Sequence, residues 1–369
     1  MLKYLAGQFE EKSNKPSERS GSLVDSPDMS PIQGGWGMSS KFFPFWKSRL
    51  SLSQFLQMKL NHLLLRFLPF TISRFYIRGL GRIYYLLNWP ERALIREAII
   101  QVFHGKIAAG ELPRKINGAF RGIFDHYHEK LFVGFANFPK VLAFFRSQVR
   151  FQGREMLQEA MAAGHGVILV TGHFGALELL PGALAVNGFP TSMICRFKTT
   201  RLREAQGRRA EWLGVNLIDT DKGKSFFAAV KALKEGRILI TECDEFDAWR
   251  PDPQREIHFL NHKLAADRTL ELLRQRSGAP LIAAVVKRDG QQQYTCHLTP
   301  VSHGAAPVNI PVSEQCLRVL ETSVQNHPEQ WYQWQNFAMM IKTHREIEHD
   351  HQASGYLAPA INLPLPDQA

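Results

Sequence analysis

Between Lys41 and Pro90 the sequence has no aspartate or glutamate, although Lys41, Lys47, Arg49, Lys59, Arg66, Arg74, Arg78 and Arg82 all fall there. A solvated protein face normally mixes both signs. This stretch, which holds eight of the chain's +11 net charges, therefore points to an anionic surface. Cysteine is scarce too: Cys195, Cys243, Cys296 and Cys316 are scattered, with no Cys-x-x-Cys. That excludes a zinc ribbon, a thioredoxin-type pair and a disulfide scaffold, and fits a reducing compartment. No uncharged apolar run reaches the ~18 residues a spanning helix needs; the best candidate, Leu56 to Leu87, is broken by five cations. Residues 1–40 lack the apolar core of a secretory signal peptide. A Gly-x-Ser-x-Gly elbow is missing as well, which argues against an α/β-hydrolase.

What is present divides the 369 residues into four parts. Residues 1–40 read as a disordered tail and residues 346–369 as a loose, Pro-rich one. Residues 41–150 read as a basic amphipathic helical segment, in which Leu56, Leu60, Leu63, Leu64 and Phe67 recur at helical spacing. A basic face opposite Leu, Phe and Trp describes a helix lying in a membrane interface. The alternative is a helical hairpin packed on the main domain; no nucleic-acid-binding signature accompanies the charge, so nucleic acid is not an expected partner. From 151 to 345, short apolar runs (Gly166–Thr171, Ser192–Cys195, Asn216–Asp219, Arg237–Thr241, Pro280–Lys287) alternate with helical stretches, one of them expected over Leu264–Arg276. Such alternation implies a parallel α/β sheet covered by helices on both faces.

The first of these strands runs directly into Thr171-Gly-His-Phe-Gly-Ala-Leu-Glu178. Ligands of open α/β sheets sit beyond the carboxyl ends of strands, so His173 stands where a catalytic group belongs. On a straight helix Glu178 would lie ~140° around from His173. The two meet only if His173 sits in a turn before the helix, which Gly172 and Gly175 permit. A carboxylate on one imidazole nitrogen would leave the other as a general base. With no serine or cysteine nucleophile at hand, such a base suits a hydroxyl belonging to the substrate. A histidine that merely caps the helix is the competing reading. His258 and His262 have no clear third ligand, and no metal site is expected.

The run from Gly164 to Glu178 resembles the signature of the lipid A biosynthesis acyltransferases, the lauroyl/myristoyl-type branch of the lysophospholipid acyltransferase superfamily. Further matches follow in order over roughly residues 55–340: Met193-Ile-Cys-Arg196, Ile238-Leu-Ile-Thr-Glu-Cys-Asp244, His258-Phe-Leu, and Pro328-Glu-Gln-Trp331 with Trp334. The chain departs from that pattern at Glu245-Phe-Asp247, at Ala266-Asp267-Arg268, and at Gln335-Asn336-Phe337.

The resemblance implies a glycerol-3-phosphate-acyltransferase-like sheet flanked by helices, behind an N-terminal helical membrane-associating segment. It implies transfer of a fatty acyl chain from an acyl carrier protein or coenzyme A thioester to a hydroxyl of a lipid A precursor or related glycolipid. His173 would be the base and Glu178 its partner, with backbone N–H groups near Phe174 and Gly175 stabilising the oxyanion. Arg196 would bind phosphate, or else form a structural ion pair. Asp244 would position the acceptor, or else serve structural pairing. Arg201, Arg203, Arg208 and Arg209 form either a solvated helix face or a docking patch for an acidic carrier or anionic headgroups. No bound cofactor is required. The expected location is the cytoplasmic face of a bacterial inner membrane, peripheral or monotopic. A lysophospholipid acceptor, or a catalytically silent lipid-binding relative, are the alternatives.

Overall fold

A computed structural model describes residues 52–342, apart from 109, 247–249, 291 and 302–309. The expected tails at 1–40 and 346–369, and the start of the basic segment, lie outside these residues.

Six helices come first: α1 (Leu52–Leu56), α2 (Lys59–Phe67), α3 (Phe70–Leu87), α4 (Trp89–Phe103), α5 (Leu112–Phe135) and α6 (Phe138–Gln148). Proline starts several of them: Pro90, Pro113 and Pro139 each sit in a first turn, where the missing N–H has no helical partner to lose and φ is already set. The α/β region continues with β1 (Val149–Gln152), α7 (Arg154–Ala162), β2 (Val167–Thr171), α8 (Leu180–Val186), β3 (Thr191–Cys195), α9 (Thr200–Leu213), β4 (Asn216–Asp219), α10 (Ser225–Lys234) and β5 (Ile238–Glu242). An antiparallel hairpin of β6 (Pro251–Phe259) and β7 (His262–Asp267) follows, then α11 (Thr269–Ser277), β8 (Leu281–Arg288), β9 (Tyr294–Pro300) and α12 (Val312–Asn326).

Seven strands form one sheet in the order β1-β9-β8-β2-β5-β3-β4. Every neighbouring pair is parallel except β8 with β9. β2 is buried along its whole length, as a central parallel strand covered on both faces should be. Its side chains alternate accordingly. Val167 and Leu169 join Ile238 and Ile240 against α6 and α8. Ile168 and Val170 join Leu239 against α10, α11 and α12. The expected helix over Leu264–Arg276 is corrected: its first part is β7, paired with β6, and the helix starts only at Thr269.

α5 is the pillar between the N-terminal helices and the sheet. Fourteen of its 24 residues are buried, including Asp125, His126, His128 and Glu129. Buried charges require partners, and each of these carboxylates has one. Asp125 takes both Arg74 and Arg78 of α3 at 2.6 Å, and Glu129 takes Arg288 of β8 at 2.7 Å. Burial alone would raise the Asp125 carboxyl, but the two guanidiniums hold it well below the usual carboxylate range. Two of the cations counted in the basic segment are therefore turned inward and do not face an external surface. The outward faces of α2 and α3 are instead largely apolar: Leu60, Leu63, Phe67, Ile72, Phe75 and Leu86 are all exposed, Phe67 to 72%. Among the described residues no helix is long and apolar enough to cross a membrane.

Gly122 of α5 has one further consequence. A Cβ there would stand 1.6 Å from the Glu329 carbonyl oxygen, so only glycine admits the short 3-10 turn Pro328–Gln330 against this helix. That turn carries the chain into the site.

Candidate active site

β2 ends at Thr171, and the next residues fold into a tight turn rather than directly into a helix. Gly175 has φ +59°, and a Cβ on it would meet the Val286 carbonyl oxygen at 1.7 Å; the position is closed to any other residue. The turn is pinned from three sides: Gly175 N–H donates to Gln330 O, Ala176 N–H to Val286 O, and Tyr332 N–H to His173 O. The Gly175 carbonyl accepts from Arg288.

This turn aims His173 at Asp244, which lies just past the end of β5, the strand paired with β2. His173 Nδ1 is 2.8 Å from Asp244 Oδ1, and the His173 backbone N–H donates to the same carboxylate at 2.9 Å. The indole Nε1–H of Trp331 donates to Asp244 Oδ2 at 2.8 Å. The Asp244 side chain is fully buried. On its other side, His173 Nε2 is 2.8 Å from Glu245 Oε1. Burial pushes the imidazole down, but Asp244 and then Glu245 outweigh it and raise it well above its ordinary value.

Glu178 does not reach His173. It sits in a 3-10 turn, Leu177–Leu179, and faces α5, with Lys130 Nζ at 2.9 Å and His126 Nε2 at 3.7 Å. The expected His173–Glu178 couple is thus replaced by a His173–Asp244 couple. The physical reason is that the α-helix begins only at Leu180, so the intervening turn swings Glu178 towards the α5 lysine. His126 is fully buried, its imidazole held well below the ordinary value by burial and by Lys130. It stacks on the Tyr332 ring at 3.4 Å, and Tyr332 meets His173 edge-on at 5.0 Å.

The expected oxyanion donors are also corrected. Phe174 N–H donates to the Gly172 carbonyl at 2.6 Å, and Gly175 N–H to Gln330 O at 2.7 Å. Both groups are already consumed inside the turn, and Phe174 itself is buried core. Arg196, at the end of β3, is 55% exposed at the rim and 3.9 Å from Asp221. Of the basic residues on α9, Arg203 pairs with Asp219 at 2.7 Å and Arg209 lies over the rings of Phe138 and Trp212.

His173, Glu178, Arg196, Glu242 and Glu245 all line one cavity of about 500 Å³ at the carboxyl ends of the strands. On the β3 and β4 face that carries Met193 and Leu217, the cavity continues between apolar side chains: Val133, Phe145, Leu213, Met193 and Leu217. Towards α10 and α11 it is lined by Ser225, Phe226, Arg250 and Thr269. Burial pushes the Glu242 carboxyl up to about 7 and the Cys195 thiol up to about 12. Sequence reasoning did not single out Lys130, His126 or Tyr332. The first two carry no local motif; Tyr332 stands beside Trp331, whose motif is the one signal that could have found it.

A buried His–Asp couple at a parallel strand end, opening into a cavity with an apolar extension, can deprotonate a hydroxyl beside a long apolar chain. No curated protein matches the chain. The model of the bacterial lipid A biosynthesis acyltransferase family matches residues 60–336, and the chain belongs to that family.

Proposed function

We propose that this enzyme transfers a fatty acyl chain from an acyl carrier protein or coenzyme A thioester to a hydroxyl of a lipid A precursor or related glycolipid. The observation that carries this reading is the His173–Asp244 couple at 2.8 Å in a cavity that extends between Val133, Phe145, Met193 and Leu213. The acyl chain occupies that apolar extension, leaving its thioester carbonyl beside His173. The acceptor hydroxyl takes the place of Glu245 at Nε2. His173 Nε2 removes the hydroxyl proton, the oxygen adds to the carbonyl carbon, and the tetrahedral intermediate expels the thiolate. The imidazolium returns its proton to the sulfur. Asp244 fixes the imidazole through Nδ1 and stabilises its charged form, a contribution of roughly 10²–10⁴ in rate for the couple. Glu178 holds Lys130 at the cavity wall, and Arg196 at the rim suits a phosphate of donor or acceptor.

The reaction takes place at a membrane surface, on the cytoplasmic side. The exposed row Leu60, Leu63, Phe67, Ile72 and Phe75, flanked by Lys59 and Arg66 in a stretch of sequence without Asp or Glu, supports docking of α2 and α3 into an anionic interface.

The test uses the full chain in detergent, carrier protein loaded with C12–C16 chains or the matching coenzyme A thioesters, and a Gram-negative lipid extract. Mass spectrometry should find lipids that gain one acyl mass with wild type and not with His173→Ala. No gain from either donor would refute the proposal; a gain that survives in His173→Ala would refute the assignment of the base.

A further inference from the structure

Acyl transfer passes through a tetrahedral oxyanion, which needs a hydrogen-bond donor aimed into the cavity. The turn that carries His173 has none to spare among its central residues. The N–H groups of His173, Phe174, Gly175 and Ala176 donate to Asp244, Gly172, Gln330 and Val286 respectively. Of the cavity-lining cations, Lys130 is held by Glu178 at 2.9 Å, Arg196 and Lys198 are exposed at the rim, and Arg250 lies over the Phe226 ring. Arg209 turns its Nε and Nη2 to the Gly134 and Ala136 carbonyls and lies over the Phe138 and Trp212 rings, and the Cys195 thiol points to the Ile218 carbonyl.

Tyr332 is placed differently. Its backbone N–H donates to the His173 carbonyl at 3.1 Å, which ties the two residues together. Its ring is fixed between His126, stacked at 3.4 Å, and His173, edge-on at 5.0 Å. It lines the same cavity as His173, and no described residue pairs with its hydroxyl. A two-torsion aromatic side chain stacked on one face by His126, met edge-on by His173 and tied at its backbone is already ordered before substrate arrives, which is what an oxyanion donor requires.

We infer that the Tyr332 hydroxyl is the catalytic donor that stabilises the oxyanion of the acyl-transfer intermediate. As the acceptor oxygen bonds to the carbonyl carbon, the C=O π pair moves onto oxygen, and the phenol O–H donates a hydrogen bond to it. No proton leaves Tyr332: burial, and after it the carboxylates of Glu178, Glu242, Asp244 and Glu245, push its ionisation well above the ordinary range, so the donor persists at every working pH. When the C–S bond breaks the pair returns to the carbonyl and the sulfur takes its proton from His173. The assignment rests on the acyl-transfer reading above.

Tyr332→Phe removes one oxygen and keeps the stacked ring; Tyr332→Met removes both. In the assay above, Tyr332→Phe should lose roughly 10²–10³ in kcat, keep its donor KM within about threefold, and melt at the wild-type temperature. Tyr332→Met should be no more active than Tyr332→Phe. A Tyr332→Phe enzyme with kcat within threefold of an active wild type would overturn this inference alone. So would a Phe variant that is active beside a Met variant that is not, since the ring and not the hydroxyl would then matter. A wild type that transfers no acyl group overturns the functional reading and this inference with it.

Discussion

Glu245→Gln should make the enzyme more active in acid. His173 lies between two carboxylates, with Nδ1 on Asp244 and Nε2 on Glu245, each at 2.8 Å. The two carboxylates raise the imidazole well above its ordinary value, and its protonated form must lose the Nε2 proton before it can accept one from a hydroxyl. Activity therefore rises as pH climbs through the elevated His173 value, and removing a charge that elevates it moves the limb down. Unit charges ~4 Å apart attract by ~4 kcal/mol at an effective dielectric of ~20, but by only ~1 kcal/mol in water. The Glu245 side chain is 37% exposed, so the lower part of that range applies. About 1–2 kcal/mol corresponds to roughly one pH unit, or about tenfold in kcat/KM on the acidic side. Glu242 faces the same cavity with its carboxyl pushed up to about 7, first by burial and in part by Glu245, so the substitution moves its value down as well, in the same direction as the His173 shift. The assay is kcat/KM against pH from 5 to 9 for both proteins with one donor and one acceptor. An acid limb that stays put, or moves to higher pH, would show that Nε2 is not under the influence of Glu245 and would sink the reasoning.

Other expectations follow from the same geometry. Asp244→Ala strands the His173 imidazole and the Trp331 indole N–H in a buried space; loss of one partner from such a set costs about 3–5 kcal/mol. Urea denaturation should show this, and a loss below 1 kcal/mol would contradict the assignment of Asp244 as the clamp. Phe145→Ala lengthens the apolar end of the cavity, so in a C12–C18 donor mixture the product distribution should move to longer chains. An unchanged distribution would place the chain elsewhere. Leu63→Glu with Phe67→Glu puts charge on the exposed α2 face and should abolish sedimentation with phosphatidylglycerol vesicles while leaving the melting temperature within a few degrees. Retained sedimentation would move membrane contact to another surface.

Much of the α/β core was legible because a buried parallel strand is a short, continuous apolar run, and Val167–Thr171 and Ile238–Glu242 are of that kind. His173 was legible for the same reason: it comes directly off the end of such a run. β9 escaped notice although its residues alternate between buried and half-buried, because polar Thr295 and His297 interrupt the apolar positions of what is a half-covered strand. Leu264 was joined to the helix that follows it; the pairing of β7 with β6 is a contact that no local spacing reports. The partner of His173 was misread for a related reason. Spacing along one segment suggested Glu178, but the choice between Glu178 and Asp244 was made by Lys130, on a helix far earlier in the chain. The inward turn of Arg74 and Arg78 was equally invisible: charge counts do not distinguish a cation facing lipid from one facing Asp125.

The seating of Pro328–Gln330 against Gly122 has a consequence for synthesis of the protein. Gln330 supplies the carbonyl that holds Gly175, Trp331 secures Asp244, and Tyr332 grips the His173 carbonyl. A nascent chain already containing every strand of the sheet still lacks these three bonds until the ribosome has passed Tyr332. At ~5–20 residues per second, emerging β2 thus waits roughly 10–30 seconds for the turn that carries His173 to be set. A chain that ends between Pro300 and Gln330 would hold every strand of the sheet and still lack all three bonds that set the His173 turn.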